Sequence, residues 1–257
     1  MSQDVQDAVS LAVAGPVATL TLNRPGSYNA LNPVLARGLR MQAETVEPCE
    51  EIRMMVIRGA GRGFCGGGDI QAIGTQGDGT SRFIAAMLED VHAFLATVQR
   101  MPQVVVAAVH GVAAGAGLSF ASMADLCVAT DDASFVPSYL SLGVSPDCGG
   151  TVGVVRAAGV RGALDLYLLK DRLTAREAQQ AGLVNVVVTA GDLDKELDRI
   201  AERICGMPQL AVSNTKRLVR QALTTPLLDQ LEAEGAGLIA CTQTEGFRRG
   251  LAAFLKR

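Results

Sequence analysis

Tryptophan is absent from the 257 residues, and aromatic residues make up only 4% of them. The core must therefore be aliphatic, and a platform of stacked aromatics for single-stranded nucleic acid has no material to be built from. Histidine is almost as scarce. His92 and His110 are the only two, with no His-x-x-x-His spacing, which argues against a zinc site. Six cysteines (Cys49, Cys65, Cys127, Cys148, Cys205 and Cys241) form no Cys-x-x-Cys pair. A chain of this length needs no disulfide staples, so they read as reduced thiols of a cytoplasmic protein. Positive charge is not in excess either, with 23 Lys and Arg against 26 Asp and Glu. That balance argues against a nucleic-acid partner. No apolar run approaches the roughly 18 residues that would suggest a membrane span. The opening MSQDVQDAVS carries acid and no basic segment, unlike a secretory signal.

What is abundant is aliphatic residue and glycine. Hydrophobic residues are 49% of the chain, charged residues 19%, and glycine 28 of 257. This composition predicts one large folded domain, alone or with a small appendage, and many tight backbone sites. Val9 to Val13 and Val17 to Leu22 read as strands joined by a Gly15-Pro16 turn. Arg53 to Gly59, Val104 to Val109, Asp125 to Thr130, Ser134 to Val136 and Val184 to Val188 read as further strands. Helical spacing covers Asn29 to Thr45, Ser81 to Gln99, Leu118 to Met123, Gly149 to Ala158 and Ala163 to Leu169. Gln76 to Thr80 reads as a polar, mobile loop. Thr174-Ala-Arg-Glu177 is a capping box opening a helix that stops at Gly182. From Asp192 onward the pattern is all helical, with Pro208 and Pro226 as boundaries. Strands alternating with helices up to about residue 190, then helices alone, predict an α/β core over 1–195 and a helical region over 196–257.

Two glycine-rich turns each leave a buried strand and enter a helix: Phe64-Cys-Gly-Gly-Gly-Asp69 and His110-Gly-Val-Ala-Ala-Gly-Ala-Gly117. Glycine permits close backbone approach, and a helix start leaves N–H groups unpaired. Facing each other, such turns could aim two amide donors at one oxygen; taken singly, each also reads as an ordinary tight turn. A dinucleotide fingerprint fails, because the third glycine position after Gly115 and Gly117 is Phe120.

The chain resembles the crotonase superfamily, also called the enoyl-CoA hydratase/isomerase family, almost end to end. The resemblance rests on Asn23-Arg-Pro25 with Asn29-Ala-Leu31, FCGGGDI over Phe64 to Ile70, and the segment Ala107 to Ala129. Leu142 to Thr151, Leu173 to Val184 and Thr244 to Arg257 follow in order. It implies a spiral of ββα units with a C-terminal helical trimerisation region, and a homotrimer or a dimer of trimers. It further implies an acyl-CoA thioester substrate and no metal or other cofactor beyond the coenzyme A that the substrate carries. By position, the oxyanion donors would be the N–H groups of Gly68 and Ala116. If the second site requires a positive φ, the Ala116 methyl would strain it. The backbone around Gly66, Asp69 and Ile70 would meet the nucleotide. The family's basic residue before Asn-Ala-Leu is missing from Gly26-Ser27-Tyr28, leaving Arg24 and Lys256 as candidates for the phosphates.

The departures from the family pattern bear on the reaction. Its hydratases place two glutamates where this chain has Ser119 and Tyr139, both poor proton carriers at neutral pH. The acid left in a plausible place is Asp147, in Ser145-Pro-Asp-Cys-Gly149. Without the resemblance, Asp147 reads as an N-cap of the helix that follows. With it, the position resembles that of the acid in the family's phenylacetate-pathway ring-opening isomerases, dienoyl-CoA isomerases and chlorobenzoyl-CoA dehalogenases, and PDCGGT is most similar to the first of these. A single acid can move a proton between two carbons, whereas hydration prefers two acids. An enoyl-CoA isomerase using Asp147 is therefore expected. Alternatives are a hydratase with non-standard acids (Asp147 or Glu89), an Asp-nucleophile dehalogenase or hydrolase, and a non-catalytic homologue that kept the fold. Leu140, Leu142, Phe83 and Met87 are candidate acyl-pocket residues, with Tyr139 beside them. Glu89 or Asp90 could assist as a second acid. His110 reads as structural, Cys65 and Cys148 as non-nucleophilic, and Lys216, Arg217 and Arg220 as a solvated basic face.

Overall fold

The computed structural model describes residues 3–256. Its strands are β1 (Val9–Ala14), β2 (Val17–Leu22), β3 (Met54–Gly59), β4 (Val104–Val109), β5 (Val112–Ala114), β6 (Leu126–Thr130), β7 (Ser134–Val136), β8 (Leu173–Thr174) and β9 (Val186–Val188). Its helices are α1 (Gln3–Ala8), α2 (Pro33–Val46), α3 (Ile70–Gly74), α4 (Thr80–Arg100), α5 (Ala116–Met123), α6 (Gly150–Leu169) and α7 (Ala175–Gln180). The helical tail comprises α8 (Leu193–Cys205), α9 (Gln209–Gln221), α10 (Leu227–Thr242) and α11 (Glu245–Leu255).

The larger sheet runs β1-β2-β3-β4-β6-β9, antiparallel only at the β1–β2 hairpin. A smaller sheet, β5-β7-β8, carries the second layer of turns. The central strands of the larger sheet are buried on both faces, which is why they read as unbroken apolar runs. Met55, Ile57, Val105, Ala107 and Val109 face one core with α2 and α4. Met54, Val56, Val104, Val106 and Ala108 face the other, against Leu193, Leu197, Ile200 and Ile204 of α8. The boundary expected at residue 195 thus falls inside a helix that closes the back of the sheet.

Local signals placed most elements well. Thr174 and Glu177 form the capping box, and Gly182 ends that segment at φ +82°. The two helices expected on either side of residue 160 are one run broken at Gly159, where φ is +71°. One expectation fails: α2 begins at Pro33 and not at Asn29. Asn32 caps it, accepting from the Leu35 N–H at 2.9 Å, whereas Asn29 is a buried left-handed residue (φ +56°) held in a loop. Among the described residues, no helix is long and apolar enough to cross a membrane.

Candidate active site

The two glycine turns leave adjacent parallel strands, β3 and β4, so they emerge side by side. Their backbones then pair directly. The Phe64 N–H donates to the His110 carbonyl at 2.9 Å, the Cys65 N–H to Val112 at 3.1 Å, and the Ala114 N–H to Cys65 at 2.9 Å. This brings Gly67 and Gly115 together: a Cβ at Gly115 would stand 3.8 Å from the Gly67 Cα. The residues that follow them are Gly68 and Ala116. Neither N–H donates to another group among the described residues. The strain foreseen for Ala116 does not arise, because the left-handed residue is Gly115 (φ +48°) and Ala116 opens α5. Its N–H is one of the unpaired donors that every helix start leaves.

Asn29 ties the first turn down. Its Nδ2 donates to the Gly63 carbonyl at 2.8 Å and to Ala60 at 2.9 Å, and its Oδ1 accepts from the Arg24 N–H at 2.8 Å. Within the sequence, the only local hint of this role is the tolerance of Asn for the left-handed region. Arg24 is not a free cation. Its Nη2 meets the Asp69 Oδ2 at 2.9 Å, and its Nη1 donates to the Ala30 carbonyl. Asp69 caps α3 through the Ala72 N–H at 3.1 Å. Partial burial pushes its carboxyl up, but the Ala72 N–H and Arg24 more than offset this and hold it below the usual carboxylate range. The Gly66 N–H donates to the Tyr28 carbonyl at 2.8 Å, and the Arg62 guanidinium stacks 4.8 Å above the Tyr28 ring. Ile70 is half exposed beside this loop, whereas Lys256 lies exposed at the end of α11.

Ser119, Tyr139 and Asp147 meet as one cluster. The Ser119 and Tyr139 hydroxyls are 2.7 Å apart, and Ser119 also donates to the Asp147 backbone carbonyl at 3.0 Å. The Tyr139 hydroxyl lies 3.4 Å from the same carbonyl. The Asp147 side chain does not cap α6: Gly149 holds the cap position with no side-chain hydrogen bond. Its Oδ1 is buried and unbonded among the described residues. Cys148, the next residue, sits at φ +52°, an uncommon conformation for a residue with a Cβ. Burial first, and then the Asp147 charge, push the Tyr139 hydroxyl and the Cys148 thiol well up. Tyr167 completes the cluster, its ring edge-to-face with Tyr139 at 6.4 Å. In sequence, Tyr167 is one more position in the helical run Ala163 to Leu169.

The remaining candidates separate from this site. Glu89 is exposed on α4, and Asp90 is held by Arg40 at 2.9 Å. Met87 belongs to the core, Phe83 is half-buried, and Leu140 and Leu142 are exposed near the Asp147 turn. His110 bonds the Gly61 carbonyl through Nε2 at 3.0 Å. Burial pushes the Cys65 thiol up to about 11, so it carries no thiolate at neutral pH. Of the basic face expected at Lys216, Arg217 and Arg220, Arg217 is exposed but Lys216 and Arg220 are not solvated. Both side chains are largely covered and converge on Asp125, at 2.9 and 2.6 Å. Burial pulls the Lys216 ammonium down to about 8, with Asp125 opposing that shift. These contacts bolt α9 to the end of α4 and to the loop before β6.

The spacing between the two donor loops depends on Gly117. A Cβ there would lie 2.2 Å from the Cys65 carbonyl oxygen, so Gly117→Ala must push α5 off the first loop. Overpacking of this kind costs about 1–3 kcal/mol. The variant is expected to melt earlier, and to turn over more slowly if the unpaired Gly68 and Ala116 N–H groups act together on a ligand. An unchanged melting temperature and kcat would show that the loops are not clamped here.

The chain matches the family model described as enoyl-CoA hydratase/isomerase over residues 13–257. It is 33% identical over 242 residues to the 1,2-epoxyphenylacetyl-CoA isomerase of Escherichia coli K12, covering 94% of this chain and 92% of that one. It is also 33% identical, over 243 residues, to the 2,3-dehydroadipyl-CoA hydratase of the same organism, covering 94% and 92%. Among solved structures, an enoyl-CoA hydratase from Polaromonas sp. JS666 superposes with a TM-score of 0.91 at 33% identity, covering 96% of each chain. An aliphatic spiral core, two paired glycine turns with unspent amide donors, and similarity along nearly the whole length agree. The chain belongs to the enoyl-CoA hydratase/isomerase family of the crotonase superfamily.

Proposed function

We propose that this protein is an enoyl-CoA isomerase. The thioester oxygen accepts hydrogen bonds from the Gly68 and Ala116 N–H groups. Asp147 removes a proton from one carbon and returns it two carbons along. The α-proton of a thioester is too weakly acidic to leave unless the enolate oxygen is stabilised, and two preorganised amide donors stabilise such an oxyanion by several kcal/mol. One observation carries the reading. Asp147 has a buried, unbonded carboxylate oxygen, while Ser119 and Tyr139 spend their hydroxyls on each other and on the Asp147 carbonyl. A single acid with one unbonded oxygen suits a double-bond shift better than hydration.

The similarity to an epoxyphenylacetyl-CoA isomerase supports the same reading, and extends it to opening an epoxide on the acyl group. The equal similarity to a dehydroadipyl-CoA hydratase favours a second reading, a hydratase with relocated acids. Coenzyme A would enter only as part of the substrate. Ile70, Leu140, Leu142 and Val144, all half exposed, would border the acyl group. Apolar side chains left exposed on α6, α10 and α11, among them Leu168, Leu228, Leu238 and Phe254, support a homotrimer or a dimer of trimers. The six free cysteines are consistent with a cytoplasmic site of action.

The deciding assay offers a 3-enoyl-CoA and a 2-enoyl-CoA separately, and follows conjugated-thioester absorbance and product mass. Gain of conjugation without a mass change is expected from the 3-enoyl substrate. Addition of one water to the 2-enoyl substrate, with no isomerisation, would replace this reading by the second.

A further inference from the structure

A cleft of about 530 Å³ opens where the C-terminal end of α4 meets α6 and α9. Five cationic side chains line it, Arg100, Arg156, Lys216, Arg217 and Arg220, and no Asp or Glu does so among the described residues. Charges of one sign gathered around a concave surface focus their field into it. The two carboxylates bonded to these cations stand outside the lining. Glu47 takes Arg100 at 2.6 Å, and Asp125, which lines the neighbouring cavity, takes both Lys216 and Arg220.

Arg156 and Arg217 have no carboxylate partner among the described residues. Arg156 Nη1 donates to Gln99 Oε1 at 3.1 Å, and Arg217 Nη1 to Gln221 Oε1 at 3.0 Å. A neutral amide occupies one of the five N–H donors of a guanidinium and leaves its charge uncompensated. Both side chains are exposed, so their other donors can reach a ligand. The crowding of like charge registers on Arg220. Burial lowers its pKa against the opposing pull of Asp125, and the Arg156 charge lowers it further.

The cleft lies far from the glycine turns. Pro102 lines it just before β4 begins at Val104, whereas the His110 turn leaves β4 after Val109. Six strand residues at about 3.3 Å each put roughly 20 Å between those two ends. We infer that this cleft binds a phosphate-bearing anion, held by the unpaired guanidinium groups of Arg156 on α6 and Arg217 on α9, at a place separate from that proposed for the thioester. The planar fork of a guanidinium matches phosphate with two parallel N–H donors. The volume is that of a small-molecule site. No aromatic side chain lines it among the described residues, so what is recognised is the phosphate and not a stacked base. Phosphate esters and free polyphosphate share that group. A bound anion ties α9 to α6 beside the Asp125 contacts. The inference does not depend on the reaction that Asp147 serves.

The test is calorimetric titration of the full chain with pyrophosphate and with ADP, repeated on Arg156→Gln/Arg217→Gln. The wild type is expected to bind at least one of the two. The double variant should bind it at least about 10-fold more weakly, the scale of a lost charged hydrogen bond. Variant-sensitive binding that is tighter for ADP assigns the cleft to phosphate esters; the reverse order assigns it to free polyphosphate. Both arginines are exposed, so the variant should melt with the wild type, and each single substitution, expected to lose part of the affinity, checks the result. Absence of binding in the wild type, or binding that the substitutions leave unchanged, overturns the inference. So does an equal loss of coenzyme A binding in the double variant, which would give the cleft to the substrate's own phosphates.

Discussion

Asp147→Asn is expected to lower isomerase turnover by at least about 100-fold, the scale of a lost general base. The substitution keeps the shape of the side chain and removes its ability to take a proton. Binding of the CoA thioester should stay near normal, because the donors proposed for the thioester are backbone N–H groups on other loops. The loss should therefore fall on kcat, with KM little changed. Stability should also hold. Asp147 Oδ1 makes no hydrogen bond among the described residues, and the carboxylate does not cap α6. The turn is held by the Asp147 carbonyl, which accepts from Ser119 and from the Gly150 N–H at 2.9 Å, and neither contact involves the carboxylate. Steady-state kinetics on a 3-enoyl-CoA, paired with a melting curve, measures both halves. Turnover within a few-fold of wild type would sink the assignment. Attention would then move to Glu89 rather than Asp90, because Asp90 is already engaged by Arg40.

The largest effect on stability is expected from Asp125→Ala. Asp125 receives Lys216 at 2.9 Å, Arg220 at 2.6 Å and the Val105 N–H at 2.8 Å. The partners' side chains are 6% and 16% exposed. Removing the carboxylate strands two buried cations, and breaking a buried pair from one side costs about 3–5 kcal/mol. Lys216 can escape part of that cost by losing its proton, since burial already brings it down to about 8. Arg220 cannot, because a guanidinium stays charged. Their remaining contacts, Lys216 to the Gln103 carbonyl at 2.6 Å and Arg220 to Gln99 at 2.7 Å, hold protons but do not neutralise charge. Urea denaturation should show a lowered midpoint, and hydrogen exchange should show α9 opening first. An unchanged midpoint would mean that α9 is held by its apolar contacts alone.

These two carboxylates illustrate what could and could not be read along the chain. The β1–β2 hairpin followed from two apolar runs around Gly15-Pro16, and α4 from its stripe of Met87, Val91, Phe94 and Val98. The α7 capping box was visible in four consecutive residues. Each is settled by contacts between residues a few positions apart, so a short window of sequence contains the cause. The pairing of the glycine turns, and Asp147 as a candidate, were suggested for a different reason: these segments resemble those of a known family.

Tertiary structure decided the rest. Asn29 lies in a stretch that reads as the start of a helix, yet it serves as the peg of the first loop, because Ala60, Gly63 and Phe64 arrive beside it from the end of β3. Lys216 and Arg220 look like a solvated face until Asp125 is placed under them. Asp147 looks like a helix cap until the left-handed Cys148 and Gly149 turn its side chain away from α6. Tyr167 is one of several positions on a helix until Gly150, having no Cβ, lets its hydroxyl and that of Ser119 close over the start of α6. In each case the deciding partner is distant in sequence or the backbone departs from a regular period. Local pattern fixes which face of an element is apolar. Charge pairing, burial of a hydroxyl and the aim of a carboxylate depend on which elements the fold brings into contact, and no short window of sequence contains that information.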